Sequence, residues 1–317
     1  MKRICVITPC YNEEGNVKLL AERVAAVFRE LPGYAYEHLF ADNASTDATL
    51  DVLRTLAAAD AHIKVIANAK NFGQPRSLFN AILAAEADAI VIVAADLQDP
   101  PELIPRFIQK WEEGFQVVFG IRAKRHEAPL MTLARKGYYR ALHRISGDNL
   151  VMDAGDFLLM DQRVQEILRR IRDTNPYLRG LLVSLGFSCT GIDYTMEARH
   201  SGKTKLSPFG LMAFAWNGVI NHTLLPLRLA TAVGLGMSLL SILAAFGYLV
   251  LKLISWQTSP PGIATLIIGM FFLAGVQLFL LGFIGELVAS IFREGKNFPL
   301  VVERERVNFG PEPESRK

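Results

Sequence analysis

Polar and acidic side chains follow three short apolar runs in the first hundred residues of this sequence. They occupy residues 8–14, 42–47 and 96–99, and each of these segments contains carboxylate or amide groups. No glycine-rich phosphate loop, of either the G-x-G-x-x-G or the G-K-[ST] kind, follows any of the apolar runs. Binding of a dinucleotide, or of a nucleotide in a P-loop, is therefore disfavoured.

A phosphate site lined by acids needs a cation between the like charges, and Mg²⁺ or Mn²⁺ with oxygen ligands is the ordinary solution. Asp96 is the first candidate ligand, and Gln98 offers an amide oxygen two residues later on an extended segment. We expect a structural role for Asp99, because Pro100 and Pro101 follow it at the start of a predicted helix. We expect Asp99 to cap that helix, and Asp96 with Gln98 to bind the metal.

The elements that must position these side chains alternate between strands and helices. Runs rich in β-branched residues predict five strands, at residues 4–8, 38–41, 63–67, 89–93 and 116–120. Between them, apolar residues at helical spacing predict amphipathic helices around residues 17–27, 50–56 and 78–83. This alternation predicts an α/β fold with a mostly parallel sheet. In such a sheet ligands bind beyond the carboxyl ends of the strands, which is where the polar segments lie.

Residues 121–206 are expected to extend the same domain. The sequence predicts a helix near residues 130–145, and another from about 161 to 173 after the apolar run 156–160. Two basic clusters lie at residues 122–125 and 199–205. Each could be a solvated charged surface or a phosphate-binding element.

Two long segments near the C-terminal end, Leu229–Leu251 and Leu253–Gly285, carry no charged residue. Each is long enough to span a bilayer as a helix. The preceding residues 207–226 are aromatic-rich and nearly uncharged, which favours an amphipathic helix in the membrane interface. The expected organisation is a catalytic domain (1–206), an interfacial segment (207–226), a two-helix transmembrane hairpin (227–292) and a cytoplasmic tail (293–317).

Basic residues flank the two apolar segments on one side of the expected membrane. Arg228 precedes the first segment, and Arg293 and Lys296 follow the second. The positive-inside rule then places the catalytic domain and both termini in the cytoplasm, in a multi-pass protein of the cell inner (plasma) membrane. Small residues at four-residue spacing, beginning at Ala230, leave open a homo-oligomer that packs through these helices.

Composition excludes several other classes of protein. Of the 317 residues, 51% are hydrophobic and 21% are charged, which argues against a disordered chain and against a purely soluble enzyme. The three cysteines show no C-x-x-C spacing, so neither a disulfide framework nor a zinc site is indicated. A formal charge of +3 gives no basic stripe for nucleic acid.

Four segments, taken in order, resemble the motifs of family 2 glycosyltransferases. They are residues 9–14 (PCYNEE), 42–49 (DNASTDAT), 94–98 (AADLQ) and 154–157 (AGDF). The resemblance extends from residue 4 to about 290 and is greatest to polyprenyl-phosphate glycosyltransferases, namely dolichol-phosphate mannose synthases and bacterial bactoprenol glucosyltransferases. Two departures stand out. The family's usual D-D-G-S is Asp42-Asn43-Ala44-Ser45 here, and the first acid of D-x-D-x-Q is Ala94.

The resemblance implies a GT-A-like domain and assigns roles to particular residues. Around the base and ribose of a sugar nucleotide it places Pro9, Tyr11, Glu13, Glu14, Asp42 and Asp96. It implies that Asp96 and Gln98 hold the metal, and that Asp156 faces the acceptor, where the family's acid is often described as a general base. Because a lipid monophosphate is already largely ionised at neutral pH, we expect Asp156 instead to position the acceptor or the sugar hydroxyls. It assigns phosphate contacts to Arg122, Arg125, Arg199, Lys203, Thr204 and Lys205, with Asp156, Asp96, Arg199 and Lys205 as the catalytic set.

The activity that the resemblance implies is inverting transfer of a hexose to a polyprenyl phosphate at the cytoplasmic membrane face. UDP-glucose and undecaprenyl phosphate are the favoured pair, and a GDP-mannose or UDP-aminopentose donor stays open. A processive polysaccharide synthase is a second hypothesis, although no Q-x-x-R-W run is present. A third, suggested by Asn43 and Ala94, is a non-catalytic, membrane-tethered nucleotide sensor.

Overall fold

The computed structural model describes residues 1–122, 154–171, 173, 176–197 and 299–310, and single positions between 236 and 292. The chain divides into two compact units. The first comprises residues 1–205 and 298–317, and the second comprises residues 206–297. All the strands of the described residues belong to the first unit.

An eight-stranded sheet forms the centre of the first unit. Its strands are β1 (Lys2–Cys10), β2 (Tyr34–Asp42), β3 (Ile63–Asn68), β4 (Ala89–Ile92), β5 (Val117–Arg122), β6 (Ala154–Asp161), β7 (Cys189–Tyr194) and β8 (Glu303–Val307). Helices cover it: α1 (Val17–Arg29), α2 (Thr49–Ala59), α3 (Gln74–Ala84), α4 (Ile104–Glu112), α5 (Gln162–Leu168) and α6 (Leu178–Ser184), with a short 3-10 turn at Pro101–Leu103.

The strand order is β7-β5-β6-β4-β1-β2-β3-β8. Pairings of β1 with β2 and β4, of β2 with β3, and of β5 with β7 are parallel. Strand β6 runs antiparallel to its neighbours β4 and β5, and β8 runs antiparallel to β3. The carboxyl ends of six strands therefore share one edge of the sheet with the start of β6. That start carries Gly155 and Asp156.

The sheet is buried on both faces, as its continuous apolar strands require. On one face the core joins the strands to α1, α2 and α4 through side chains such as Val24, Leu53 and Phe107. On the other face α3, α5 and α6 contribute Phe79, Val164 and others. This packing fixes the carboxyl edge of the sheet as a rigid base for the loops that follow the strands.

The expected α/β fold with a mostly parallel sheet is confirmed. Each of the five predicted strands corresponds to one of β1 to β5, and the three predicted amphipathic helices correspond to α1, α2 and α3. The helix expected over residues 161–173 ends at Leu168. Beyond it, the backbone amides of Arg170 and Ile171 donate to carbonyls three residues earlier, at 3.0 and 3.1 Å, as in a 3-10 turn. The helix predicted near residues 130–145 lies outside the described residues.

Strand β8 brings the C-terminal part of the chain back to the sheet. It pairs with β3, with Val65 opposite Val307 and Ile66 opposite Arg306. The sequence analysis placed these residues in the tail 293–317 and did not predict a strand there. Arg54 of α2 binds Glu305 at 2.7 Å, and the side-chain amide of Asn308 donates to carbonyls at the end of α2 and the start of β3. One edge of the sheet is thus formed by a strand that follows the second unit in the sequence.

In the second unit the structure describes only isolated positions and short pairs, nearly all of them helical. Large apolar side chains at those positions are exposed, among them Leu243, Phe246, Ile254, Leu266, Ile284 and Ile291. No helix within the described residues is long and apolar enough to cross a bilayer. The interfacial segment 207–226, and most of the two predicted spans with the spacing at Ala230, lie outside the described residues.

Candidate active site

The loops after β1 and β2 are joined by reciprocal hydrogen bonds. The Asn12 amide donates to Ser45 Oγ at 2.9 Å, and the Thr46 amide donates to Asn12 Oδ1 at 2.7 Å. Asn12 and Ala44 both have a positive φ, at 55° and 59°. The side-chain contacts hold these unusual conformations in place, so the two loops form one rigid wall at the carboxyl edge.

Two of the predicted nucleotide-binding acids help to build this wall. The Glu14 carboxylate accepts the Ala48 amide at 2.8 Å, near the start of α2. Glu13 accepts the side-chain amide of Asn16 at 2.7 Å, and its own backbone amide donates to Thr49 Oγ1 at 2.8 Å. Both acids therefore have structural partners at the place where a nucleotide is expected.

Asp42 lies at the end of β2, directly opposite Cys10 of β1, and is 1% exposed. Burial raises its pKa, while the hydroxyl and amide of Ser45 donate to its carboxylate and oppose that rise. Pro9 and Tyr11, which were also predicted to contact the nucleotide, flank Cys10 in the sequence and are half-buried, and Pro9 is in register with Ala41 of β2. Apart from Asp96, which follows β4, the predicted nucleotide-binding residues thus lie on or directly after the two adjacent strands β1 and β2.

An amide network that the sequence analysis did not predict lies beyond β2 and β3. Asn43 donates to Asn71 Oδ1 at 2.8 Å and accepts from Asn68 at 3.1 Å and from the Phe72 amide at 3.0 Å. Asn68 also donates to Ser77 Oγ at 3.0 Å. Buried polar groups must be paired, and this network pairs them while fixing the loop before α3.

The predicted metal ligands lie in the segment after β4. Asp96 and Gln98 are half-buried, and the backbone amide of Gln98 donates to Asp96 Oδ1 at 3.3 Å. Leu97 between them has a φ of 60°, and the Gln98 carbonyl is held by the Glu197 amide at 3.0 Å. A carboxylate and an amide oxygen are hard donors and fit Mg²⁺ or Mn²⁺. Among the described residues no cluster of three His, Cys, Asp or Glu side chains could hold a metal.

Asp99 does not cap the helix that follows it, so that expectation is wrong. The residue at the start of the 3-10 turn is Pro100, and no side chain caps it. Asp99 is 1% exposed and accepts from the Tyr194 hydroxyl and, at 3.5 Å, from Nη2 of Arg122. Burial raises the pKa of Asp99, and the nearby negative charges of Asp96 and Asp156 raise it further. The contacts with Tyr194 and Arg122 oppose this rise.

Asp156 stands at the start of β6, with a half-exposed side chain. Its carboxylate pairs with Nε of Arg179 from α6 at 3.2 Å. Arg179 also lies over the ring of Tyr177, 5.6 Å from its centroid. The sequence analysis did not identify Arg179, because no local pattern connects α6 with a strand more than twenty residues earlier.

The structure brings several of the predicted residues together and leaves others undescribed. Asp96, Asp156 and Arg122 each lie within electrostatic reach of Asp99 at the carboxyl edge, and Arg122 also lies within reach of Asp156. The remaining members of the two basic clusters lie outside the described residues, namely Lys124, Arg125, Arg199, Lys203, Thr204 and Lys205. Their roles stay predictions.

Residues 5–175 match the family described as glycosyl transferase family 2. The chain belongs to glycosyltransferase family 2. It is 34% identical to YkcC, an uncharacterized glycosyltransferase of Bacillus subtilis, over 94% of this chain and 92% of that protein. It is 30% identical to a prophage-derived bactoprenol glucosyl transferase of Shigella flexneri, over 94% of this chain and 96% of the other.

Among solved structures, glucosyl-3-phosphoglycerate synthase of Mycobacterium tuberculosis, in complex with Mn²⁺, UDP and phosphoglyceric acid, is similar over 69% of this chain and 76% of its own. The TM-score is 0.49 and the sequence identity 17%. That similarity is too weak to transfer any property of the site.

Membership of the family gives meaning to the two departures from its usual motifs. In this glycosyltransferase, Asn43 serves the amide network as donor and acceptor at once, which an aspartate cannot do. Ala44 occupies the left-handed region where the family's glycine is conformationally easier. Ala94 leaves Asp96 as the one carboxylate of its motif. The chain is an enzyme of the glycosyltransferase class, and its residues 94–98 have one acid fewer than the family's usual D-x-D-x-Q.

Proposed function

We propose that this enzyme transfers a glucosyl group, with inversion, from UDP-glucose to a polyprenyl phosphate such as undecaprenyl phosphate. The observation that carries the proposal is that Asp96, Asp156 and Arg122 lie around Asp99 at the carboxyl edge of the sheet, where the hydrogen-bonded loops after β1 and β2 also lie. The names of the relatives support the choice of sugar and acceptor, since several are bactoprenol glucosyl transferases at about 30% identity.

The transfer step needs little acid–base chemistry. An oxygen of the acceptor phosphate forms a bond to C1 of the glucose, and the bond from C1 to the nucleotide diphosphate breaks. A phosphate monoester has a second pKa of about 6 and is already largely ionised at neutral pH. The half-exposed Asp156 then has no proton to remove from the acceptor, and its function is to orient the acceptor or the sugar hydroxyls.

The departing diphosphate gains negative charge during this step, and the site must stabilise it. Asp96 and Gln98 would hold Mg²⁺ or Mn²⁺, with nucleotide phosphates completing the set of oxygen ligands. A bound divalent ion would supply Lewis-acid stabilisation of that charge. Arg122 adds a guanidinium, which suits phosphate oxygens through its planar fork of donors. Residues 199–205 are proposed to add further cationic contacts.

The acceptor's long apolar chain makes a membrane location part of the proposal. Each CH₂ buried in the bilayer is worth about 0.8 kcal/mol, so a polyprenyl phosphate does not leave it readily. Residues 207–226 are proposed to lie in the interface and 227–292 to form a transmembrane hairpin, with the catalytic unit in the cytoplasm. Two uncharged segments, and exposed apolar side chains such as Phe246, Leu266 and Ile291, support this.

The test is transfer of radiolabel from several sugar nucleotides into lipid that organic solvent extracts. Full-length enzyme in membranes or detergent receives UDP-glucose, GDP-mannose or a UDP-aminopentose, with undecaprenyl phosphate as acceptor. We expect UDP-glucose to label the lipid and the other donors to label it weakly. Label in a polymer that remains in the aqueous phase would favour a polysaccharide synthase, and nucleotide binding without any transfer would favour a sensor.

A further inference from the structure

Three side chains from distant parts of the chain meet at the end of β5. Arg122 lies at the carboxyl end of that strand, Tyr194 at the end of the neighbouring strand β7, and Asp99 in the segment after β4. Nε of Arg122 donates to the Tyr194 hydroxyl at 3.2 Å, and Nη2 lies 3.5 Å from Asp99 Oδ1. Tyr194 donates its own hydroxyl hydrogen to the same Asp99 oxygen. The carboxylate and the hydroxyl together hold one edge of the guanidinium.

We propose that Asp99 and Tyr194 are positioning residues that hold the Arg122 guanidinium ready to bind a phosphate of the reacting substrates. This inference rests on the proposed function and adds to it a device that orients one of its cations. We call Asp99 and Tyr194 the guanidinium clamp.

The clamp holds one edge of the Arg122 guanidinium and leaves the rest of the group outside it. Within the described residues, the contacts of Arg122 use Nε and Nη2, and none of them uses the Nη1 amino group. The guanidinium lies against Gly155, where an added Cβ would be 3.3 Å from Nε and 3.5 Å from Nη2. Asp156, the next residue, faces the acceptor in the proposed function. The clamp therefore holds the guanidinium beside the reacting groups.

Glycine and aromatic neighbours fix the Tyr194 ring in turn. A Cβ added at Gly120 would lie 2.9 Å from Cε1 of Tyr194, so only glycine leaves room for the ring at that point of β5. Phe157 meets the ring edge-on, with centroids 5.6 Å apart and planes at 86°. Since the ring cannot shift towards β5, its hydroxyl stays in line with Asp99 and Arg122.

Such a clamp has a physical purpose. A free arginine side chain loses rotamer entropy when a ligand orders it, whereas a pre-oriented one has lost that freedom on folding. Donors that are in place before charge develops stabilise a transition state best. The sequence gives no local sign of this arrangement, because 72 residues separate Arg122 from Tyr194 and 23 separate it from Asp99.

The test is chemical rescue by free guanidinium ion, with the full-length enzyme and transfer of glucose to undecaprenyl phosphate as the readout. In Arg122→Ala we expect kcat to fall about a hundredfold, as on loss of one transition-state donor. Guanidinium at millimolar, non-denaturing concentration should restore part of the rate in a saturable way. Sodium at the same ionic strength should not.

The second part of the test removes one clamp residue in the Arg122→Ala background and repeats the rescue. In Arg122→Ala/Tyr194→Phe and in Arg122→Ala/Asp99→Asn, half-maximal rescue should require at least several times more guanidinium. The matched control is Arg122→Ala/Tyr34→Phe, because Tyr34 also donates to a carboxylate, that of Glu112, but lies at the start of β2 on the opposite edge. Its rescue curve should coincide with that of Arg122→Ala alone.

Several results would overturn the proposal. They are a fully active Arg122→Ala, an Arg122→Ala variant that no guanidinium concentration rescues, and identical rescue curves with and without the clamp. If Arg122→Ala does not fold, Arg122→Lys replaces it in the test. Lysine keeps the charge but cannot contact Asp99 and Tyr194 together, so kcat should fall similarly. An unsubstituted enzyme that transfers no glucose to lipid would instead refute the proposed function.

Discussion

The side-chain amide of Asn43 donates to Oδ1 of Asn71 over 2.8 Å and ties the end of β2 to the loop that precedes α3. The same Asn71 oxygen accepts the Gly73 amide at 2.9 Å. Asn43 also accepts the Phe72 amide. One buried amide, standing where the family usually has an acid, therefore sets the conformation of a whole loop.

Replacing Asn43 by Asp should weaken this loop even though it restores the common family motif. An aspartate has acceptors only, so one of its oxygens would face Asn71 Oδ1 with no hydrogen between them. We expect the free energy of unfolding to fall by about 1–3 kcal/mol, the cost of an unsatisfied buried group. Thermal unfolding measures this, and Asp51→Asn, at an exposed acid of α2, is the control. Unchanged stability would mean that Asn71 turns over to donate to the new carboxylate.

The role of Asn43 shows where sequence reasoning stops. The order and type of β1 to β5 and of α1 to α3 follow from local periodicity, and the polar segments lie at the carboxyl edge of the sheet, as the predicted strand order requires. Whether a given polar residue meets substrate or protein depends on its tertiary neighbours. Asp99 illustrates this, because capping preference is local whereas its partners Tyr194 and Arg122 come from other strands.

Elements made by long-range pairing were missed for the same physical reason. Strand β8 is five residues long and follows the second unit, so only its partner β3 reveals it. Arg179 likewise gains its meaning from Asp156 in another element. A single sequence contains no signal for such pairings, since neither residue type nor spacing distinguishes them from a solvated surface.

Asn308, directly after β8, should contribute measurably to the stability of the catalytic unit. Its φ of 61° is left-handed, and its amide donates to the Ala57 carbonyl at 2.6 Å and to the Ile63 carbonyl at 2.8 Å. Asn308→Gly keeps the backbone conformation but loses these bonds, with an expected cost of about 1–2 kcal/mol. Asn308→Ala should lose about 1 kcal/mol more through left-handed strain. Equal unfolding midpoints for the two variants would contradict this division.

His38 should make the catalytic unit sensitive to acid. Burial lowers its pKa to about 3, and Nε2 lies 3.0 Å from the Thr8 hydroxyl. In the unfolded chain a histidine takes up its proton near pH 6.5. Between about pH 6.5 and 3 the unfolded state binds one proton more than the native state, so stability falls as pH falls. The loss is about 1.4 kcal/mol per pH unit.

The variant His38→Gln removes this titration and can keep a contact with Thr8. Between pH 7 and pH 4 the unsubstituted protein should lose about 3 kcal/mol more than His38→Gln, as urea unfolding at each pH would show. Phe79→Leu, a non-titrating change in the buried core, should shift stability by the same amount at every pH. Parallel pH curves for the unsubstituted protein and His38→Gln would exclude His38 as the origin of acid sensitivity.

Activity should depend on a divalent cation held through Asp96 and Gln98. Excess EDTA should abolish transfer, and added Mg²⁺ or Mn²⁺ should restore it. Asp96→Asn should lower the rate about a hundredfold or more, because a neutral amide replaces the one carboxylate of the motif. Gln98→Ala should raise the Mn²⁺ concentration needed for half-maximal activity, since one oxygen ligand is lost. Full turnover in EDTA would refute the metal assignment.

Asp156 offers a way to distinguish an orienting carboxylate from a general base. If the acceptor phosphate is already ionised, the rate should fall in acid as that phosphate gains its second proton, near pH 6. Asp156→Asn should then lower kcat but leave this acid limb where it is, because the titrating group belongs to the lipid. A base would give the opposite result, namely an acid limb that disappears when the carboxylate is replaced.

Arg179 should hold Asp156 in its orientation, because it pairs with the Asp156 carboxylate at 3.2 Å. Arg179→Met should lower kcat by loosening Asp156, yet have little further effect in an Asp156→Asn background, since the two residues act through one contact. The measurements are kcat and KM for the lipid across pH 5 to 8 in the unsubstituted enzyme, both single variants and the double variant. Additive losses would separate Arg179 from Asp156 and assign it an independent contact with substrate.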